Sequence, residues 1–351
     1  MENWPSDLLE PVKEIMWSQW AALGANLTVE PARKSVVDPE ALFVATCGFG
    51  RNDARLFDEA MDWLLENNER IKPWRLKRIA RTFGADTQRV LGAALDYVAD
   101  AAGKNLFPGV REEAKQHLGE VQREDLFYSE KGRHSEEKGV DPIFLKWNLL
   151  RGVPRIRKHS GKPNTGNPAN LMVKLREFYG TGTRADVMTY LLTAGGGSSN
   201  EIAARLKYNQ KGVYEALEEM CAAGTVHKYS KARNGYYWVE RADMAKTLSL
   251  PVELPVFFVW GDIYFAYYLL ISDYTMNVES HQDDFLSAER MRNLTVIIVP
   301  LLRNSGEPLS QLAMPDIKRQ SGIEHRDKLL DYMKRVLREL RDTYTLQRES
   351  P

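Results

Sequence analysis

Between residues 183 and 239, three apolar-faced runs and a hairpin signal follow one another with almost no spare residues, and this order constrains the fold more than any other feature of the chain. After the turn-rich GTGT at 180–183, RADVMTYLLTAG places Val187, Leu191 and Leu192 on one helical face, and Gly195-Gly196-Gly197 closes it. In SSNEIAARLKY, Ser198 and Glu201 have capping-box spacing, so each side chain can satisfy a backbone donor that the first turn leaves free. A second helix is predicted from about Ser199, with Ile202, Ala203 and Leu206 buried and Ala203 small enough to let another helix cross closely. Past the link Lys207-Tyr208-Asn209, QKGVYEALEEMCAAG carries Val213, Leu217 and Met220 at i, i+4 and i+7 and stops at Gly224. The β-rich runs TVHKYS and YYWV then flank Arg233-Asn234-Gly235, an Asn-Gly hairpin signal. Three helices followed by a hairpin predict a winged helix-turn-helix over residues 168–240.

A duplex major groove admits one helix, and short polar side chains at the start of that helix read base edges. The third run offers Asn209, Gln210, Lys211 and Tyr214 there, with Ser199 a further candidate at the start of the preceding helix. Asn and Gln can bond adenine bidentately, and Lys can reach guanine or phosphate. Lys228, Lys231 and Arg233 in the hairpin would lie over phosphates or enter the minor groove, positioning the duplex rather than specifying its sequence. The stretch TRADVMTYLLTAGGGSSNEIAARLKYNQKGVYEALEEMCAAGTVHKYSKARNGYYWV resembles the winged-helix domain of bacterial transcriptional regulators of the MarR and ArsR type. The likeness covers about a fifth of the chain. It implies a third helix entering the major groove through Asn209 to Tyr214 and a wing touching the flanking backbone through Lys228 to Arg233. The remaining chain does not look like the dimerisation helices of those small regulators. Winged helices also bind proteins, and Glu215, Glu218 and Glu219 along the third helix would repel phosphate if they faced it, so they are expected on the solvent side or toward a partner.

The whole chain is neutral, with 48 basic and 48 acidic residues, so no global field steers it to DNA. Positive charge is local: from Arg151 to Arg233 there are 14 Lys or Arg against 6 Asp or Glu. Within this span, RGVPRIRKHSGKPNTGNP holds Arg151, Arg155, Arg157, Lys158 and Lys162 without an acid, and Pro154, Pro163 and Pro168 forbid a continuous helix. An extended basic arm or linker is expected, with Arg155, Arg157 and Lys158 as candidates to follow a DNA backbone or minor groove.

The flanking regions read as helical, giving a mainly α fold in which a helical region over 1–125 and a polar then basic linker over 126–167 precede the winged helix, and a helical region over 241–351 follows it. Trp17, Trp20 and Leu23 share one stripe, Asp38-Pro39 reads as a helix start, and Leu56, Ala60, Trp63 and Leu64 form one face of a strong amphipathic helix. The helices over 38–100 could form a second, degenerate winged helix; the plainer reading of Arg70, Lys72, Arg75, Lys77, Arg78 and Arg81 is one solvated basic face. The apolar run at 254–272 approaches membrane-spanning length, but Pro255, Gly261 and Asp262 interrupt it, so a buried core or dimer helix is expected. The run ERMRNLTVIIVPLL and a final helix with Leu329, Met333 and Leu337 on one face could complete a bundle or pack on a second copy. A polar, acidic start without a signal pattern, and only Cys47 and Cys221, fit a reducing cytoplasm and no disulfide framework.

P-loop, dinucleotide-binding, nucleophile-elbow and H-E-x-x-H patterns do not occur, and the six histidines lack ligand spacing. No enzyme, cofactor or metal is expected. The sequence therefore points to a DNA-binding regulator, a dimeric repressor on double-stranded DNA. The alternative is a protein-interaction or antitoxin-like module that binds a protein partner.

Overall fold

The protein is mainly helical in a computed structural model that describes residues 4–119, 121–128, 139–231, 234–250, 253–277, 284–315 and 322–342. It forms two compact units, residues 17–255 and residues 1–16 with 256–351. These units do not follow the boundaries expected at 125, 167 and 240, because the N-terminal helices share one interior with the three-helix-and-hairpin segment.

The first helices of the larger unit are α1 (Trp4–Ala22, from its Trp17 onward), α2 (Pro39–Phe49) and α3 (Ala54–Asn67). Helix α4 (Pro73–Ala80), α5 (Gly84–Ala101) and α6 (Pro108–Lys115) follow. Asp38 and Asp53 cap α2 and α3 by accepting the backbone N–H of Ala41 and Leu56. Every residue of α2 is buried, which accounts for its near-continuous apolar run. Trp20 lies 5.3 Å from the Trp63 ring and donates its indole N–H to Thr46 Oγ1. Gly92 is required where α5 meets Trp147, since a Cβ there would lie 2.3 Å from the indole. Strand β1 (Glu124–Asp125) pairs in parallel with β2 (Leu149–Leu150), and the short α7 (Pro142–Leu145) lies between them in sequence. Among the described residues the 38–100 segment contains no strand, so it lacks the hairpin that a second winged helix needs.

Residues 151–167 contain no helix, as their prolines dictate, but they are not a free arm. The Asp62 carboxylate on α3 accepts the backbone N–H groups of Arg157, Lys158, His159 and Ser160 at 2.5–3.2 Å, and also the Ser160 hydroxyl at 2.7 Å. Arg151 is buried beside the Phe57, Phe127 and Phe144 rings and pairs with Asp58 at 2.8 Å. Helix α8 (Leu171–Tyr179) then leads to α9 (Thr183–Ala194), α10 (Ser199–Leu206) and α11 (Gln210–Ala222), and the antiparallel pair β3 (His227–Lys231) and β4 (Asn234–Trp238) completes the segment. Helix α9 is buried from Ala185 through Leu192, more completely than the one-faced pattern of Val187, Leu191 and Leu192 predicts. The short α12 (Arg241–Thr247) follows the hairpin.

A buried ion network joins the N-terminal helices to α8, α9 and the link after α10. Arg75 bonds both Asp38 and Glu40 at 2.6 Å and donates to the Leu206 carbonyl at 2.9 Å. Arg176 bonds Glu40 at 2.7 Å and Asp186 at 2.8 Å, and the Tyr208 hydroxyl donates to Asp186 at 2.6 Å. Burial alone would raise the Asp38 and Asp186 carboxyls, but Arg75 beside the first and Arg176 beside the second hold both below the usual carboxylate range. The expectation of a solvated basic face is thereby corrected for Arg70 and Arg75, while Arg78 and Arg81 stay exposed. Arg75 is internal, Arg70 is buried and paired with Glu177, and Lys77 and Arg81 both pair with Glu113, whose carboxyl is held down at about 2 by the bonds from Arg81.

In the smaller unit α13 (Trp260–Met276), α14 (Asp284–Arg303), the short α15 (Glu307–Ser310) and α16 (Gly322–Asp342) pack as a bundle. The expected face Leu329, Met333 and Leu337 is buried, and Tyr267 of α13 donates to the Met333 carbonyl at 2.8 Å. The apolar run 254–272 becomes helical only from Trp260, and no described helix is long and apolar enough to cross a membrane.

Candidate nucleic-acid interface

Helix α10 begins at its Ser198 cap, whose hydroxyl accepts the Glu201 N–H, and ends at Lys207, whose φ of 59° turns the chain toward α11. The hairpin returns along this edge. Gly197 and Tyr237 exchange both backbone hydrogen bonds at 3.0 and 2.9 Å, and a Cβ on Gly196 would lie 2.7 Å from the Tyr237 carbonyl oxygen. The tight glycine turn therefore holds the strand against the start of α10, leaving the first turn of α11 and the hairpin as its exposed neighbours.

The structure divides the expected site residues into structural and presented groups. Asn209 caps α11 and accepts the Gly212 N–H at 2.6 Å, so its side-chain oxygen is not free to read adenine. Ser199 is buried and accepts from Gln210 Nε2 at 3.0 Å, which removes Ser199 from any contact surface and fixes the Gln210 side chain. Lys211 and Tyr214 are presented: the Lys211 side chain is 85% exposed, 3.8 Å from Glu215, and Tyr214 stands exposed one turn further on. Lys228, expected over phosphates, instead pairs with Glu218 at 2.7 Å, and the Tyr237 hydroxyl donates to the same carboxylate at 2.7 Å. The hydrogen bond from Lys228, then that from Tyr237, lowers the Glu218 carboxyl, and the bond to Glu218 raises Lys228. The physical reason is register: Lys228 lies directly across from buried Tyr237, on the hairpin face turned toward α11. Lys231 ends β3, while Arg233 lies outside the described residues.

Two of the three acids of α11 are bonded to cations. Glu219 receives the Arg184 Nε at 3.0 Å, Glu218 holds Lys228, and Glu215 neighbours Lys211. On the 151–167 segment the backbones of Arg155, Arg157 and Lys158 are pinned to Asp58 and Asp62, but the three side chains are exposed. They form a fixed cationic ridge rather than a mobile arm. Four rings of the hairpin, His227, Tyr229, Tyr236 and Trp238, were not singled out from the sequence, although the alternation in VHKYSK and NGYYW carries them. No group of described side chains could hold a metal ion.

No protein-family model, curated protein or solved structure matches the chain.

Proposed function

We propose that residues 183–238 are a winged helix-turn-helix and that the protein is a transcriptional regulator that binds duplex DNA and represses by occupying an operator. The observation that carries this reading is the exposed first turn of α11. Lys211 projects from it, Tyr214 follows one turn on, Gln210 is held in place by Ser199, and Glu218 and Glu219 further along the helix are paired with cations. A helix presented in this way can enter a major groove with less of the electrostatic penalty that its glutamates would otherwise impose, since Glu218 and Glu219 are paired. Gln210 and Lys211 are the base-edge and phosphate contacts of this reading. The ridge of Arg155, Arg157 and Lys158 adds sequence-independent affinity. Dimerisation through the helices of the smaller unit would bring two such helices to successive grooves.

The test is binding of the purified full chain to duplex fragments from its own upstream region, at two salt concentrations and with nonspecific competitor. The reading predicts a competitor-resistant, salt-sensitive complex that Gln210→Ala with Lys211→Ala abolishes. Absence of a complex even at low salt would refute it and leave the protein-partner alternative.

A further inference from the structure

With Lys228 turned toward α11, the opposite face of the hairpin carries a different chemistry from the one its cations suggest. The register pairs His227 with Trp238 and Tyr229 with Tyr236, and strand alternation puts these four residues on one face. Tyr229 is 56% exposed and Tyr236 48% exposed. The His227 and Trp238 rings lie 5.5 Å apart at 30°, and the Tyr236 and Trp238 rings 6.5 Å apart at 34°. The strip is seated on backbone that fixes it: a Cβ on Gly196 would meet the Tyr236 hydroxyl at 2.8 Å. Beside it lies a cation, because the guanidinium of exposed Arg241 reaches the neighbouring Gly195, where a Cβ would be 2.6 Å away.

We propose that this face stacks the unpaired bases of a nucleic-acid strand, so that the hairpin holds a single-stranded flank beside the duplex engaged by α11. The proposal deepens the duplex-binding reading and rests on it. A wing that only positions phosphates needs outward cations along its length, whereas here the mid-strand Lys228 is bonded inward and positions 227, 229, 236 and 238 of the other face are aromatic. Exposed rings with a cation alongside are what sequence-tolerant single-strand binding uses: any base can stack, and the cation meets the backbone. Charge and chemistry favour this occupant over an aliphatic protein surface, since each of the four rings carries a polar edge atom and Arg241 complements phosphate.

The experiment compares, by fluorescence anisotropy on the full chain, a blunt duplex with the same duplex carrying a short oligothymidine tail. The tailed duplex should bind roughly tenfold or more tightly, the effect of stacking about one base. Tyr229→Ala with Tyr236→Ala should erase that preference while leaving blunt-duplex affinity unchanged, and Tyr229→Trp, which keeps a stacking face, should preserve it. Equal affinity of the native protein for both DNAs overturns this inference alone, as does a preference that survives in the double variant. Failure to bind either DNA overturns it together with the duplex reading. The native-protein comparison decides the matter even if the double variant does not fold.

Discussion

Two ion networks in the residue 17–255 unit use the same side-chain chemistry to different ends. Around Arg75 and Arg176 the guanidinium groups and the Asp38, Glu40 and Asp186 carboxylates are almost wholly out of water, and their bonds tie four helices together. Across α11 and the hairpin, Lys211 with Glu215 and Arg184 with Glu219 stand in solvent, and the half-exposed Lys228 and Glu218 join them at the surface. Buried pairs are costly to break from one side, because the remaining charge has neither water nor partner, whereas exposed pairs contribute little to stability. The contrast teaches that a cation's place, rather than its count, decides whether it builds the unit or is offered to a ligand.

The largest effect should come from breaking the buried network. Arg176→Met leaves Glu40 and Asp186 without their shared guanidinium and should destabilise the unit by about 3–5 kcal/mol in urea unfolding. A loss below about 1 kcal/mol would place this network with the exposed pairs. Acid sharpens the same point. Asp38 and Asp186 are held below their ordinary values, so the unfolded chain binds protons first as pH falls. Their contribution is present above the unfolded carboxyl value of about 4 and is lost as pH drops through the lower folded values. Urea midpoints measured from pH 7 downward should therefore fall more steeply below about pH 4 in the native protein than in Asp186→Asn.

At the edge of the candidate interface, Asn209→Ala should cost about 1 kcal/mol by removing the cap of α11, while the neutral Asn209→Ser keeps both the cap and the stability. Loss of DNA affinity in Asn209→Ser at unchanged stability would instead restore Asn209 as a base reader. The smallest effect on stability belongs to Glu218→Gln, expected at less than about 1 kcal/mol in thermal unfolding. By releasing Lys228 it should tighten duplex binding and steepen its salt dependence.

The local elements were legible because their signals are short-range. Ser198 opens α10, Val213, Leu217 and Met220 face inward on α11, and the hairpin forms where the Asn-Gly signal announced one, although Asn234 and Gly235 are the first residues of β4 rather than its turn. What the sequence concealed depends on partners far along the chain. Arg75 meets Asp38 and Leu206, Arg176 meets Glu40, and Asp62 binds the 157–160 backbone, and no spacing rule joins such positions. The same limit hid which cations are spent: Lys228 and Lys211 look alike in sequence, yet only the strand register sends one toward Glu218. Residue type marked Asn209 as a base reader and a cap equally well, and the bond to Gly212 N–H decides for the cap.

If the first turn of α11 meets DNA, Lys211 contributes to the slope of log affinity against log salt. On one duplex, Lys211→Ala should bind more weakly than the native protein and with a slope smaller by about one phosphate contact, at an unchanged unfolding midpoint. Identical affinity and slope in the two proteins would contradict that contact.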